Sequence, residues 1–155
     1  MRLTFLLDEN ILLHAIRAVD RHNNRDETAA RVILTIVDVC HSIVIHHEVM
    51  VRYIRKLNGL KGERSPFLSP SYLFSQLLKR SDKQILQYDD LPPLPTGVKV
   101  PAEDEYLVRA ALISRPLVVT ADEELYGAIR SQPVLGLEVL WPNEAVERAR
   151  ERPED

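Results

Sequence analysis

The 155-residue sequence predicts an α/β fold, with a central, mostly parallel sheet flanked by helices on both faces. Three observations carry this. Short, nearly continuous apolar runs alternate along the chain with segments whose apolar residues recur at helical spacing, the pattern of strands buried on both faces and helices that cover them. Acidic residues stand just past several of the runs, where open parallel sheets collect their ligand and catalytic groups. At 45% hydrophobic content the chain is long enough to bury one core without disulfides, so a single domain over residues 1–149 is expected, with a charged tail at 150–155.

The elements follow in order. Leu3, Phe5, Leu6 and Leu7 read as a central strand. Asp8 ends it and can cap a helix reaching about Asp20, in which Ile11, Leu12, Ala15, Ile16 and Val19 face the core. After a polar break at 22–25, a helix from about Asp26 to Cys40 carries a broad apolar stripe, and Asn24 with Glu27 fits a capping box at its start. Ile43, Val44 and Ile45 form a β-branched second strand, and Glu48 opens a helix that buries Val49, Met50, Tyr53, Ile54 and Leu57 before Asn58 and Gly59 stop it. A loop over 61–70, a helix over 72–78 and a short strand over 85–88 come next. Pro92, Pro93, Pro95, Gly97 and Pro101 then make residues 89–101 a stiff irregular connection, of a kind that can overhang a site. A helix over 102–114 ends before Pro116, Leu117 to Thr120 is a buried strand, and a helix at 124–130, a strand at 137–140 and a helix at 143–150 complete the chain.

Composition bounds the function. A net charge of −3 gives no global attraction to nucleic acid or an anionic membrane, so any such affinity needs a local patch. Cys40 is the only cysteine, which rules out an internal disulfide and a thiolate cage and suits a reducing cytoplasm. No apolar stretch approaches the ~20 residues of a membrane helix, and Met1 to Leu7 is too short for a signal peptide, so a soluble, cytoplasmic protein is expected. The five glycines are isolated and make no phosphate-cradling loop. His46 and His47 lack the i, i+4 spacing of a zinc pair, while His14, His22 and His41 read as surface or interface residues.

The residues that carry chemistry are Asp8, Glu48, Asp104 and Asp122. Each lies at or near an expected helix start, where an acid satisfies free backbone N–H groups, and taken singly that capping role outweighs metal binding. Thr120 and Glu123 likewise fit a capping box. Convergence distinguishes the two roles: caps have no reason to share one corner of a sheet, whereas metal ligands must. Two carboxylates ~4 Å apart repel by about 4 kcal/mol at an effective dielectric near 20, so a cluster of them calls for divalent cations or protons. Mg²⁺ or Mn²⁺ suits such oxygen ligands and commonly bridges them to a substrate phosphate.

Positive charge is uneven. Between Val51 and Lys83 lie Arg52, Arg55, Lys56, Lys61, Arg64, Lys79, Arg80 and Lys83 against Glu63 and Asp82, a local +6 that leaves −9 for the remainder of the −3 total. A phosphate backbone would be met here, with Arg52, Arg55 and Lys56 as the RNA-binding candidates, unless these residues merely coat two helices. Tyr72 and Phe74, at helical spacing with Leu73, Leu77 and Leu78, read as core or dimer contacts rather than base-stacking platforms.

Leu6-Leu7-Asp8-Glu9-Asn10, His47-Glu48-Val49 followed by Tyr53-Ile54, Asp104 with Leu107, Ala110 and Ala111 behind it, and Val118-Val119-Thr120-Ala121-Asp122 together resemble the PIN-domain ribonucleases, the family that includes VapC-type toxins. Coverage runs over about residues 3–141, and the sixteen-residue step from Asp104 to Thr120 matches the family's spacing. The resemblance implies a PIN-like three-layer sandwich and a metal-dependent endoribonuclease. In that reading Asp8, Glu48, Asp104 and Asp122 hold one or two Mg²⁺ or Mn²⁺ ions, Asn10 and Thr120 orient ligands or water, and cleavage leaves a 5′ phosphate. It also implies RNA as partner, a homodimer, and an antitoxin peptide if the chain is a toxin. Glu9, Glu103, Glu105, Glu123 and Glu124 are second choices for the acidic positions. Two rival functions stay open. One is a catalytically silent PIN-like module that binds RNA or protein; the other is an aspartyl-phosphate protein, disfavoured because Asp8-Glu9-Asn10 lacks a paired Asp-x-Asp and no late lysine follows a strand end.

Overall fold

Strand β1 (Thr4–Leu7) lies at the centre of the molecule because Phe5, Leu6 and Leu7 leave no polar side chain to face water, and all three are fully buried. A computed structural model of the chain describes residues 2–39, 41–63 and 68–151, so Cys40, Arg64 and most of the expected tail lie outside the described residues. On one side β1 pairs with β2 (Ser42–His46), which pairs with β3 (Gln84–Gln87); on the other it pairs with β4 (Leu117–Val119), which pairs with β5 (Val139–Leu140). All four pairings are parallel, giving the order β3-β2-β1-β4-β5. The expected α/β architecture is therefore present, and its sheet is parallel throughout.

Helices make the crossovers: α1 (Glu9–Arg17) and α2 (Thr28–Asp38) between β1 and β2, then α3 (His47–Gly59) and α4 (Pro70–Leu73), which runs into a π-helical turn at Phe74–Lys79, between β2 and β3. A 3₁₀ turn at Ala102–Asp104 leads into α5 (Glu105–Ser114) ahead of β4; α6 (Glu123–Arg130) and a 3₁₀ turn at Pro133–Leu135 lead to β5, and α7 (Pro142–Arg150) closes the chain. Helix α1 packs against both α2 and α3, and α2 packs against α7.

The chain goes outward from β1 through β2 to β3, then returns to the other side of β1 for β4 and β5. The strand order thus reverses between β1 and β4, and a crevice at such a switch point, outside the carboxyl ends of the strands, is where this class of sheet builds its sites. Pairing continues past the strand ends there: Asp8 N–H donates to Val119 O at 2.9 Å and Thr120 N–H to Leu140 O at 3.1 Å, which fixes both residues at the rim.

Several local expectations are corrected. The Asn24/Glu27 capping box does not form: Glu27 occupies the N-cap of α2 without a side-chain capping bond, its carboxylate accepting from Arg31, and Asp26 Oδ1 instead accepts from Thr28 N–H at 2.7 Å. Strand β3 sits one residue earlier than the apolar pattern suggested and is an edge strand with Ile85 and Leu86 exposed, because a two-sided apolar run is demanded only of inner strands. His41 is buried rather than superficial, its Nδ1 accepting from Leu3 N–H at 3.0 Å while Nε2 lies 2.9 Å from Ala149 O. Lys83 is no surface charge: it is buried, with Nζ donating to Ile36 O and Val39 O at the carboxyl end of α2, where helix carbonyls favour a cation. The proline-rich connection carries no regular structure, as expected, and Arg109 pins it through Leu91 O at 3.0 Å and Pro92 O at 2.8 Å.

Candidate active site

Asp8 follows β1 directly and sits at the N-cap of α1, yet its carboxylate makes no capping hydrogen bond. Its Oδ2 accepts instead from the Thr120 hydroxyl at 2.9 Å, and Thr120 Oγ1 in turn accepts from Asp122 N–H at 3.0 Å. Two short motifs 112 residues apart are thereby tied across the β1–β4 switch point. Thr120 is committed to Asp8 and to the Asp122 backbone, so the expected Thr120/Glu123 box is replaced by capping from Asp122 itself, whose Oδ1 accepts from Glu124 N–H at 2.8 Å and Leu125 N–H at 3.2 Å.

Asp104 reaches the same corner from the far side of the proline-rich connection. It too occupies an N-cap, that of α5, without a side-chain capping bond, and its Oδ2 is buried with no hydrogen-bond partner. Among the described residues only Gln87 Oε1 shares that condition, and that amide at least uses its nitrogen, donating to Ser114 Oγ at 3.0 Å. Buried polar atoms almost always find partners, so an orphaned carboxylate oxygen needs a proton or a cation. The electrostatics agree. Burial, then the charges of Asp8, Asp122, Glu103 and Glu9, push Asp104 up to about 7. Burial likewise raises Asp8 to about 6, with Glu9 and Asp122 adding to it and the Thr120 hydroxyl and the Asn10 backbone N–H pulling the other way.

Asp8, Asp104 and Asp122 therefore share one electrostatic neighbourhood, in which Asp122 caps its helix and the other two do not. Glu48 behaves differently. It lies in the first turn of α3, is 53% exposed, and has His47 Nε2 at 3.8 Å from Oε1; the charges that act most strongly on Asp8 and Asp104 come from other acids. Among the described residues no three His, Cys, Asp or Glu groups are already gathered at metal-ligand spacing. Asn10 lies half-buried in the first turn of α1, two residues past Asp8.

Three residues contribute more than their sequence context suggested. Tyr53 is fully buried in α3 and its hydroxyl donates to Leu7 O, locking the strand end that carries Asp8; a tyrosine inside an apolar helical stripe is the available signal, since its hydroxyl must find a partner. Tyr106, in the first turn of α5, is shifted upward by burial and by Glu9 and Asp8, and the Arg52 guanidinium lies 3.7 Å from its ring centre. Glu9, a second choice in the sequence, adds to the upward shift of Asp8 and Asp104 and also lines a groove of about 420 Å³ with Arg17, Arg52, Arg55 and Lys56. Arg17 is spent on Glu63 at 3.0 Å, whereas Arg52, Arg55 and Lys56 have no ion-pair partner among the described residues. Farther along the basic segment, Arg80 pairs with Asp82 at 2.6 Å and Lys79 lies over the Phe74 ring at 5.1 Å, while Lys61 and Lys79 line a separate groove, so Arg52, Arg55 and Lys56 are the cations grouped with Glu9.

The architecture matches a solved structure almost end to end. A PilT N-terminus (PIN) domain protein of the hyperthermophilic archaeon Sulfolobus solfataricus P2 superposes with a TM-score of 0.53, covering 99% of this chain and 98% of that one at 12% identity. The fold is that of a PIN domain. No protein-family model and no curated protein sequence matches the chain. At that identity the PIN fold is what the likeness conveys, and the chemistry has to be argued from this chain's own residues. No helix among the described residues is long and apolar enough to cross a membrane.

Proposed function

We propose that this PIN-fold protein is a Mg²⁺- or Mn²⁺-dependent endoribonuclease whose centre is Asp8, Asp104 and Asp122. The observation that carries the reading is the buried, unpartnered Asp104 Oδ2 in the field of Asp8 and Asp122 at the sheet's switch point, next to a groove lined by Arg52, Arg55 and Lys56. A hard cation fits this donor set, because it satisfies the orphaned oxygen and removes the repulsion that raises both carboxyls. When bound it would supply Lewis-acid stabilisation of the phosphorane charge and a water of lowered pKa.

The protein's own groups do the positioning. The Thr120 hydroxyl fixes Asp8 Oδ2 and so sets which way its other oxygen faces. Arg52, held over Tyr106, and Arg55 and Lys56 would neutralise successive phosphates and bring the scissile one to the carboxylates. Asn10 would orient water or substrate from the first turn of α1. Glu48 is proposed as the fourth ligand, recruited from its exposed position at the end of β2 when the site is loaded. A Glu48→Gln protein tests this: a ligand's loss lowers cleavage on the order of a hundredfold by analogy with other transition-state charge contacts, and an idle helix-start charge leaves it unchanged.

The test of the whole reading is cleavage of mixed RNA with and without Mn²⁺ by wild type and Asp8→Asn. Metal-dependent cutting that the substitution abolishes is the expected result; equal cutting by both proteins, or none under any metal, removes the assignment. A toxin of a toxin–antitoxin pair would be one biological setting for this activity, with a peptide partner covering the cleft. The second reading is a catalytically silent PIN-fold module that binds RNA or protein, favoured by the exposure of Glu48 and the absence, among the described residues, of a gathered three-ligand set.

A further inference from the structure

Helix α1 separates two clefts. Glu9, Leu13 and Arg17, spaced four apart, face the basic groove already described, while His14, four residues after Asn10, lines a second cleft of about 350 Å³ on the other side. That second cleft is walled by Ala121, which stands between Thr120 and Asp122, and by Arg21, Trp141 and Asn143. It thus borders the segment that carries Thr120 and Asp122. Its volume is near the lower end of the ~300–1,000 Å³ typical of small-ligand sites.

Its walls have the chemistry of a stacking site. Trp141 lies flat on Tyr126, ring centres 4.0 Å apart at 12°, and presents its opposite face to the cleft, where the Arg21 guanidinium covers it at 4.5 Å. Arg21 comes from an exposed loop and is tethered weakly, with Glu123 at 3.5 Å and the His22 ring at 3.2 Å. Asn143, at the start of α7, is exposed with its amide unpartnered among the described residues. The two acids in the cleft each have one oxygen tied to the backbone, Asp20 Oδ1 accepting from His22 and Asn24 N–H at 2.9 Å and Asp26 Oδ1 from Thr28 N–H at 2.7 Å.

We propose that this cleft is a nucleotide slot, taking one base of a single-stranded RNA beside the bond to be cut, with the base stacked on Trp141 and Arg21 turned to the adjacent phosphate. This rests on the nuclease reading for the identity of the polymer, though not for the binding. Every base offers a π-face to an indole backed by a second ring. The Asn143 amide, which can both donate and accept, meets the base edge. Arg21 is the group displaced: its place over the indole is filled by the base, and its charge gains a phosphate within reach. A strand lying in both clefts would cross the amino end of α1, bringing the phosphate between them over Asp8 and Asp122.

Trp141 is the chain's one tryptophan, so tryptophan emission reports this cleft alone. The full-length protein in EDTA is titrated with AMP, with UMP and with a short single-stranded RNA. A saturable change in emission is expected, strongest with the RNA and weakened on the order of tenfold in Arg21→Ala and in Asn143→Ala; both positions are exposed, and unchanged melting curves verify that the variants are folded. Emission indifferent to all three probes, or identical curves in wild type and both variants, overturns the slot. The readout needs no catalysis, so the two proposals fail separately. A protein that cuts RNA with Mn²⁺ but shows no emission response keeps its nuclease assignment and loses the slot. One that responds without ever cutting keeps the slot and loses the nuclease assignment.

Discussion

At the scale of single residues, Asp104 holds a carboxylate oxygen where the protein offers it no donor, and this has a thermodynamic consequence. Its pKa is raised from 3.8 to about 7, so the folded state binds its proton more tightly than the unfolded one. The favourable contribution is therefore present below the unfolded value and is lost as pH rises through about 7. Metal-free Asp104→Asn should melt a few degrees above wild type at alkaline pH and converge with it in acid; Mn²⁺ should raise the melting temperature of wild type and leave the variant unmoved. Thermal scans with EDTA or Mn²⁺ check both, and a variant less stable than wild type in alkaline EDTA would contradict the assignment. His41 has the opposite sign. Burial, with Lys83, Arg2 and the amino terminus adding to it, lowers its pKa from 6.5, so its contribution is complete above that value and declines as pH falls below it. The neutral ring is what lets Nδ1 accept from Leu3. Comparing His41→Gln with wild type across that range should show the wild type losing more stability on acidification, after the contrary carboxylate effect cancels between them.

At the scale of elements, the end of β1 is the part whose position matters most, and it is held by α3 rather than by its own neighbours alone. The Tyr53 hydroxyl bonds to Leu7 O, one residue before Asp8. Tyr53→Phe keeps the buried ring and removes that bond, so a cost of about 1 kcal/mol is expected in denaturant unfolding. Metal affinity should fall as well, since Asp8 loses a fixed mount; an unchanged Mn²⁺ affinity measured by calorimetry would make Tyr53 merely structural. The helix starts show the same logic. Asp122 caps α6 through its side chain whereas Asp8 and Asp104 stand at N-caps without side-chain capping, and both carboxyls are raised by burial.

At the scale of the whole molecule, a chain of net charge −3 has no global attraction to a polyanion, so the proposed RNA contact would have to be made through a patch. The cations open to a ligand beside the site are Arg52, Arg55 and Lys56, with Arg21 across α1. For single strands the slope of log K against log salt is about −0.7 per phosphate neutralised. Arg55→Ala combined with Lys56→Ala should flatten it by about 1.4 if each meets one phosphate, which fluorescence anisotropy of labelled RNA at several salt concentrations measures. Charge reversal at Arg80, which is paired with Asp82, should leave the slope unchanged.

The alternation of strands and helices, the buried character of β1 and β2, and the acids just past strand ends are legible in the amino-acid order, because period and apolar content are local properties that a window of residues displays. That order also displayed Thr120 and Asp122 together in a motif resembling a PIN-domain close, beside a rival Thr120/Glu123 capping box that the structure replaces with capping by Asp122. Only the tertiary structure decided which acids share a field. Asp8 and the Thr120–Asp122 segment become neighbours because the strand order reverses between β1 and β4, a fact of topology that no local pattern records, and Asp104 enters their field from the start of α5, whereas Glu48 remains 53% exposed. The same holds for charge: Lys83 and Arg52 look alike in the sequence, yet one is buried among the carbonyls at the end of α2 and the other lies over Tyr106 beside the carboxylates. Side-chain type is written in the chain, but the dielectric around it and the partner across from it are set by segments far away along the polypeptide, and those two quantities fix what a carboxylate or an ammonium does.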